Sequence, residues 1–108
     1  MTSELTAEFY ENLSQIIAKT VSGELQWKVI NPTTFIYDGP SAKIALQEVP
    51  QGPGNIYFFE VIDSSGRKQL EISGVGSTET NKRLRELFFS IRNYKDAKGL
   101  AFLKKIIE

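Results

Sequence analysis

The hydrophobic period of this chain changes once near its start, and that change restricts the fold more than any other feature. Over the first 22 residues, large apolar side chains recur every three or four positions, the spacing that lines one side of an α-helix. The members of this stripe are Leu5, Phe9, Leu13, Ile16, Ile17 and Val21. Gly23 then offers the left-handed conformation that ends many helices. From Leu25 onward apolar and polar residues alternate, which predicts that a sheet follows the helix.

Turn-forming residues divide the part that follows into short strands. We expect strands over residues 25–29, 33–37, 42–49, 56–63 and 67–73. The segments that separate them are Asn31-Pro32, Asp38-Gly39-Pro40-Ser41, Pro50–Asn55 and Ser64-Ser65-Gly66. Strands joined by such short turns favour an antiparallel meander.

Helical spacing returns in the last third of the chain. A second helix is predicted from Thr78 or Glu79, and a third from about Asp96. The second carries Leu84, Leu87, Phe88 and Ile91 inward, and the third carries Leu100, Leu103, Ile106 and Ile107. We therefore expect one α+β domain over residues 1–108, an antiparallel sheet of four to five strands with N-terminal and C-terminal helices packed mainly on one face.

The absence of histidine and cysteine limits the chemistry that this chain can perform. It removes the commonest acid–base group, the thiolate nucleophile and the preferred ligands of zinc and copper. The remaining candidates for acid–base work are Tyr10, Tyr37, Tyr57 and Tyr94, with Glu48, Glu60, Asp63 and Glu71. The loop Gly74–Thr78 lacks the third glycine and the lysine of phosphate-binding loops. We expect no cofactor and no metal, and the sequence favours a protein that is not an enzyme.

The predicted strand over residues 56–63 is apolar on both faces. Tyr57, Phe59 and Val61 point one way, whereas Ile56, Phe58, Glu60 and Ile62 point the other. If both helices lie on the first face, the second set forms a surface for a protein partner or a second copy of the chain. We expect Ile30 to belong to this surface, and Ile36 and Ala45 extend it if the register permits. The alternative is a central strand whose second face is covered by the C-terminal helix.

Charge is balanced overall but is unevenly distributed along the chain. Residues 1–40 hold two lysines against five carboxylates, a net −3, whereas residues 79–108 hold eight basic against four acidic residues, a net +4. Lys82, Arg85 and Arg92 align on one side of the predicted helix and are candidates for anion or nucleic-acid contact. Glu79 and Glu86 lie on the same stripe, which favours a solvated, ion-paired surface instead.

The chain resembles small bacterial α+β proteins of uncharacterised role. The resemblance rests on the amphipathic N-terminal helix, on the passage from Ile17 to Trp27, on the Tyr57-x-Phe59-x-Val61-x-Asp63-x-x-Gly66 hairpin and on the Leu84-x-x-Leu87 helix. It implies a bacterial cytoplasmic domain and transfers no catalytic residue. Secretion chaperones and toxin-immunity proteins are comparable at the level of the fold.

The features above lead to a functional hypothesis with one alternative. A polar, acidic start and the lack of long apolar runs predict a cytoplasmic protein without membrane contact. We expect a non-enzymatic protein-binding module, adaptor-like, immunity-protein-like or chaperone-like, that uses an open sheet face or an edge strand. The alternative is nucleic-acid binding through the basic C-terminal helices.

Overall fold

The computed structural model describes the backbone of residues 3–108 and the side chains of residues 6–108. Helix α1 spans Ser3–Ser22 and helix α2 spans Thr78–Ile107. The strands between them are β1 (Trp27–Asn31), β2 (Thr34–Asp38), β3 (Ala42–Gln51), β4 (Gly54–Asp63) and β5 (Lys68–Ser73). All five join in one antiparallel sheet in the order β1-β2-β3-β4-β5. The predicted α+β fold and its meander are confirmed.

Both helices pack on the same face of this sheet. The buried apolar residues are Leu13 of α1, Trp27, Phe35, Leu46, Tyr57 and Phe59 of the sheet, and Leu84, Leu87, Phe88 and Ile91 of α2. The ring centroid of Phe88 lies 4.7 Å from that of Phe35 and 5.3 Å from that of Tyr57. On α1, Phe9 meets Phe59 edge to face at 5.5 Å. All four α2 residues predicted to point inward are buried.

The two helices run parallel, and α1 ends first. Near their starts, the hydroxyls of Tyr10 and Thr80 share a hydrogen bond of 2.7 Å. At the other end of α1, Gly23 adopts the predicted left-handed conformation, with φ of +87°. A Cβ at this glycine would lie 2.5 Å from the Tyr94 hydroxyl oxygen, so the chain leaves α1 in close contact with α2. Beyond Tyr94, α2 has passed the end of α1.

The last turn of α1 differs from the predicted stripe. Val21 is 61% exposed, whereas Thr20 is buried. Thr20 Oγ1 donates to the Ile16 carbonyl at 2.8 Å and accepts from Trp27 Nε1 at 3.0 Å. A helical turn of 3.6 residues rotates position 20, not 21, toward the sheet, and the indole N–H gives that position a polar partner. Trp27 itself is buried in the core beside α1. The side chain of Leu5 lies outside the described residues.

The C-terminal region is one helix and not two. The prediction of a third helix from about Asp96 is wrong, because α2 continues through Gly99 to Ile107. Gly99 weakens a helix by only about 1 kcal/mol relative to alanine, too little to require a break. Neither of the two helices, within the residues described, combines the length and apolar character needed to cross a bilayer.

The strands are longer than the sequence predicts around the third turn. Pro50 and Asn55 are register partners, and so are Gln51 and Gly54. The predicted loop over Pro50–Asn55 is therefore a tight turn, and strand pairing extends almost to its tip.

Asn81 of α2 links the helix to the sheet at one corner. Its Oδ1 accepts from the Tyr57 amide at 3.0 Å and its Nδ2 donates to the Asn55 carbonyl at 2.9 Å. Gly74, whose amide donates to the Tyr57 carbonyl, lies directly against this side chain. A Cβ at Gly74 would lie 1.9 Å from Asn81 Oδ1, so a glycine is required there.

We expect Gly74→Ala to lower the free energy of unfolding by about 1–3 kcal/mol, the usual cost of forcing an extra methyl group into a filled site. The added methyl group must displace Asn81 and disturb both of its hydrogen bonds. Equilibrium unfolding in urea measures this change.

Gly99→Ala is the matched control. No atom lies within 4 Å of a Cβ built at this helical glycine. We expect it to raise the free energy of unfolding, by at most about 1 kcal/mol, because alanine is the better helix former. Equal destabilisation by both substitutions would contradict the role given to Gly74.

Candidate functional site

The sheet face opposite the helices is a surface that neither helix covers within residues 6–108. Alternation along each strand places its side chains on this face in rows that the register defines. One row joins Thr34, Gln47, Phe58 and Ser73, and the next joins Lys28, Ile36, Ala45, Glu60 and Glu71. A further row joins Asp38, Lys43, Ile62 and Lys68, and Val49 pairs with Ile56.

Apolar side chains form the middle of this face. We call them the open-face patch: Ile36, Ala45, Val49, Ile56, Phe58 and Ile62. All six are half-buried. The alternative in which the C-terminal helix covers this face is wrong, because the buried side of α2 contacts Tyr57 and Phe35 on the other face.

Charged residues surround and divide the patch. Lys68 Nζ lies 2.9 Å from Glu60 Oε2 and 3.2 Å from Glu71 Oε2, and these carboxylates raise the pKa of Lys68. Glu60 is thus the cross-strand partner of Lys68, and it separates Phe58 from Ile62 along β4. Lys28 and Asp38 form another pair, at 3.6 Å, toward the opposite edge. The face has an apolar middle and a polar rim, the usual anatomy of a non-obligate protein interface.

The structure brings together four of the five residues predicted to bind a partner. Ile56, Phe58, Glu60 and Ile62 lie along β4, near the middle of the sheet. Ile30 lies apart from them, because β1 is separated from β4 by two strands and Ile30 falls at an irregularity of the β1–β2 register.

The register also settles which neighbours extend the patch. Ile36 and Ala45 are register partners, and Ala45 pairs in turn with Glu60, so both adjoin the β4 residues. Val49 belongs to the patch although sequence reasoning missed it. The available signal was the alternation from Ala45 through Gln47, which places Val49 on the same face.

Both edges of the sheet carry features that oppose strand addition. Edge strand β1 has only five residues and an irregularity between Val29 and Asn31, followed by Pro32. The other edge strand, β5, presents Lys68 and Glu71. Bulges, prolines and edge charges are common means of preventing edge-to-edge pairing.

The candidate anion-binding residues of α2 do not act as one exposed cluster. Arg92 stacks over Phe88 at 4.8 Å, donates to the Pro32 carbonyl at 3.4 Å and lies 3.9 Å from Glu48 Oε1. Lys82 and Arg85 are exposed and share a shallow depression with Glu86. Arg83 pairs with Glu79 at 2.7 Å. Carboxylates therefore reduce the positive potential along this side of the helix.

One pair of the acid–base candidates does converge. Tyr57 Oη donates to Glu48 Oε2 at 2.7 Å, and Asn55 Nδ2 donates to the same oxygen at 3.2 Å. Burial, together with the hydrogen bond and negative charge of Glu48, raises the pKa of Tyr57 to about 12. The phenol therefore stays protonated near neutral pH, and its hydrogen bond to Glu48 joins β4 to β3.

The remaining carboxylate candidates also have structural partners. Asp63 closes the β4–β5 turn, where it accepts from the Ser65 hydroxyl, from the amides of Ser65 and Arg67, and from Gln69; these bonds lower its pKa to about 2. Across the part of the chain that is described, no three potential metal ligands converge, and no buried side-chain polar atom lacks a hydrogen bond.

Comparison of the chain with protein-family models, with curated proteins and with solved structures finds no match.

The Tyr57–Glu48 contact predicts a specific loss of stability in alkali. The pKa of Tyr57 is 10.0 ordinarily and about 12 in the folded protein, so its contribution is complete below pH 10 and declines as the pH rises toward 12. We expect the free energy of unfolding to fall through this window by up to roughly 1.4 kcal/mol per pH unit.

Tyr57→Phe removes the titrating group while Glu48 keeps Asn55 and Arg92 nearby. We expect this variant to lose less stability than the wild type between pH 10 and pH 12 in urea unfolding experiments. Parallel curves for the two proteins over this range would show that the hydrogen bond does not control the alkaline transition.

Proposed function

We propose that this chain is a non-enzymatic protein-binding module whose open-face patch takes a partner protein. One observation carries the proposal: both helices lie against the Tyr57 and Phe59 face, so Phe58 and its apolar neighbours face away from the core. A partner that covers this face removes half-buried apolar side chains from water, which is favourable at roughly 25 cal/mol per Å² of apolar surface.

The sheet face is a better candidate than either edge. The features of β1 and β5 oppose strand addition, whereas the patch lies mainly on the central strands β2, β3 and β4. Phe58 is the expected anchor, because aromatic side chains near the centre of an interface contribute most of the binding energy. The charges of Lys68, Glu60 and Glu71 would form the rim and define which partner is accepted.

The proposed setting is the cytoplasm of a bacterium, in an adaptor, immunity or chaperone role. A chain without cysteine needs no oxidising compartment in order to fold.

Nucleic-acid binding receives less support, since Arg83 and Arg92 both lie beside carboxylates and the chain is neutral overall. We expect no gel retardation of duplex DNA or RNA at 0.15 M salt; retardation that strengthens sharply at lower salt would favour the alternative.

Site-specific photo-crosslinking tests the open face directly. A benzoylphenylalanine is introduced at Phe58, or at the exposed residue Ser14 of α1 as a matched control, in the cells that make the protein. We expect irradiation to yield a discrete adduct with another protein from position 58 and at least ten-fold less from position 14. Mass spectrometry identifies the adduct.

A second substitution guards against chance contact. Ile36→Asp places a charge in the patch next to Ala45, and we expect it to reduce the adduct from position 58 at least ten-fold while circular dichroism shows an intact fold. Equal adducts from both positions, no adduct from position 58, or an adduct of two copies of this chain would each contradict the proposal.

A further inference from the structure

The last part of α2 is an apolar surface that no other described element covers. We call residues 95–107 the C-terminal arm; at 1.5 Å per residue it extends about 20 Å past the end of α1. Its large apolar side chains are Leu100, Phe102, Leu103, Ile106 and Ile107, and each is more than half exposed. On a helix these five fall within one side, whereas Lys98, Lys104 and Lys105 occupy the other side and its borders. The first two residues of the arm, Lys95 and Asp96, fall on the apolar side, so that side is continuous only from Gly99 onward.

A second uncovered apolar surface lies on the far flank of α1. Two adjoining depressions, of about 330 and 390 Å³, share Phe9, Asn12 and Leu70. We call them the α1–β5 groove. Its wall is α1, with Thr80 of α2 at one end, and its floor is the helix-facing side of β3, β4 and β5 together with the β2–β3 turn, where Val61 and Ile72 lie beside Leu70. Leu70 is 40% exposed although it belongs to the covered face of the sheet, because α1 and α2 do not reach over it.

We propose that the C-terminal arm of one copy of this chain docks in the α1–β5 groove of a second copy, and that the exchange is reciprocal. The arm is an amphipathic helix, and the groove is an apolar trough beside an existing helix, which is the usual setting for helix-in-groove recognition. The charges also match, since the arm carries four lysines against one aspartate, a net +3, and the groove is bordered by Glu8. More widely, residues 1–40 carry a net −3 and residues 79–108 a net +4.

A single copy does not fill its own groove with its own arm. The helices run parallel, and α2 is continuous, so the arm leads away from the groove past the Tyr94 end of α1. When each of two copies places its arm in the groove of the other, the pair is closed and two-fold symmetric, whereas a one-way contact would build an open chain of copies.

The surface available is sufficient for a stable dimer. A large aliphatic or aromatic side chain offers about 100 Å² of apolar surface, so the five exposed residues of one arm present on the order of 350 Å². A reciprocal dimer covers two arms and two grooves, on the order of 1,200 Å² in all, at the lower end of the roughly 1,200–2,000 Å² typical of stable interfaces.

Engineered disulfides test this contact because the chain has no cysteine of its own. Leu70→Cys and Ile106→Cys proteins are mixed in equal amounts and oxidised mildly. We expect a disulfide-linked pair of one Leu70→Cys and one Ile106→Cys chain, at least ten-fold more abundant than the pair formed when Ser14→Cys replaces Leu70→Cys. A yield equal to this control would overturn the proposal, and so would preferential pairing of Ile106→Cys with itself, which indicates arm-to-arm contact.

Light scattering supplies the second measurement. We expect wild type to show twice the 12.2 kDa chain mass, and Leu70→Lys and Ile106→Lys each to show the single mass with an unchanged melting profile. Phe58→Asp should keep the doubled mass, because Phe58 lies on the opposite face; the result therefore separates this proposal from the partner-binding one. A monomeric wild type overturns the dimer, whether its arm folds back or instead binds vesicles of anionic phosphatidylglycerol.

Discussion

The contact of Phe88 with Phe35 and Tyr57 decides which side of the sheet becomes the interior. The ring centroid of Phe88 lies 4.7 Å from that of Phe35 and 5.3 Å from that of Tyr57, so Phe88 joins the middle of α2 to both β2 and β4. Because successive strand residues point to opposite faces, seating Tyr57 and Phe59 under the helices necessarily turns Phe58 outward. The open-face patch is thus a direct consequence of how the core is packed, since β4 is apolar on both faces and the two helices lie on one of them.

The same packing accounts for the C-terminal arm. α1 is held parallel to α2 by Tyr10 and Thr80 at one end and by Gly23 against Tyr94 at the other, so the shorter helix determines where the layer of helices stops. Ser77 accepts from the Thr80 amide and begins α2 beside the sheet, and the helix then runs without interruption for 30 residues, well past the end of α1. Buried residues of α2 extend only as far as Ile91, and Tyr94 still contacts Gly23, but the large apolar residues from Leu100 onward are more than half exposed.

The local pattern of apolar and polar residues was sufficient to predict the helices and strands, but it was not sufficient to predict where each of them ends. Alternation and helical spacing predicted α1, all five strands, the antiparallel order and the inward residues of α2, because each depends on neighbours within one turn or one pleat. The prediction of a separate third helix from about Asp96 was wrong. Leu100 and Leu103 have the spacing of a core-facing helix, and this spacing alone does not show whether another element covers them. Thr20 is buried in place of Val21 for a similar reason, because the Trp27 indole N–H that donates to the Thr20 hydroxyl comes from another element. Of the candidate surface, the β4 residues were predictable from alternation alone, but the grouping of Ile36 and Ala45 with them, and the separation of Ile30, required the register.

The two proposed contacts use different faces of the molecule, and this has a consequence for how they relate. The open-face patch lies on the outer side of the sheet, whereas the arm and the α1–β5 groove belong to the helical side. A reciprocal dimer formed through the helical side would leave both outer faces uncovered, and two-fold symmetry would present them as a matched pair. Two weak sites on one rigid support bind a divalent or dimeric partner far more tightly than either site alone, because the second contact forms at a high effective concentration. Dimerisation would then strengthen partner binding without any change in the patch itself, which makes a modest, half-polar patch sufficient for the proposed role.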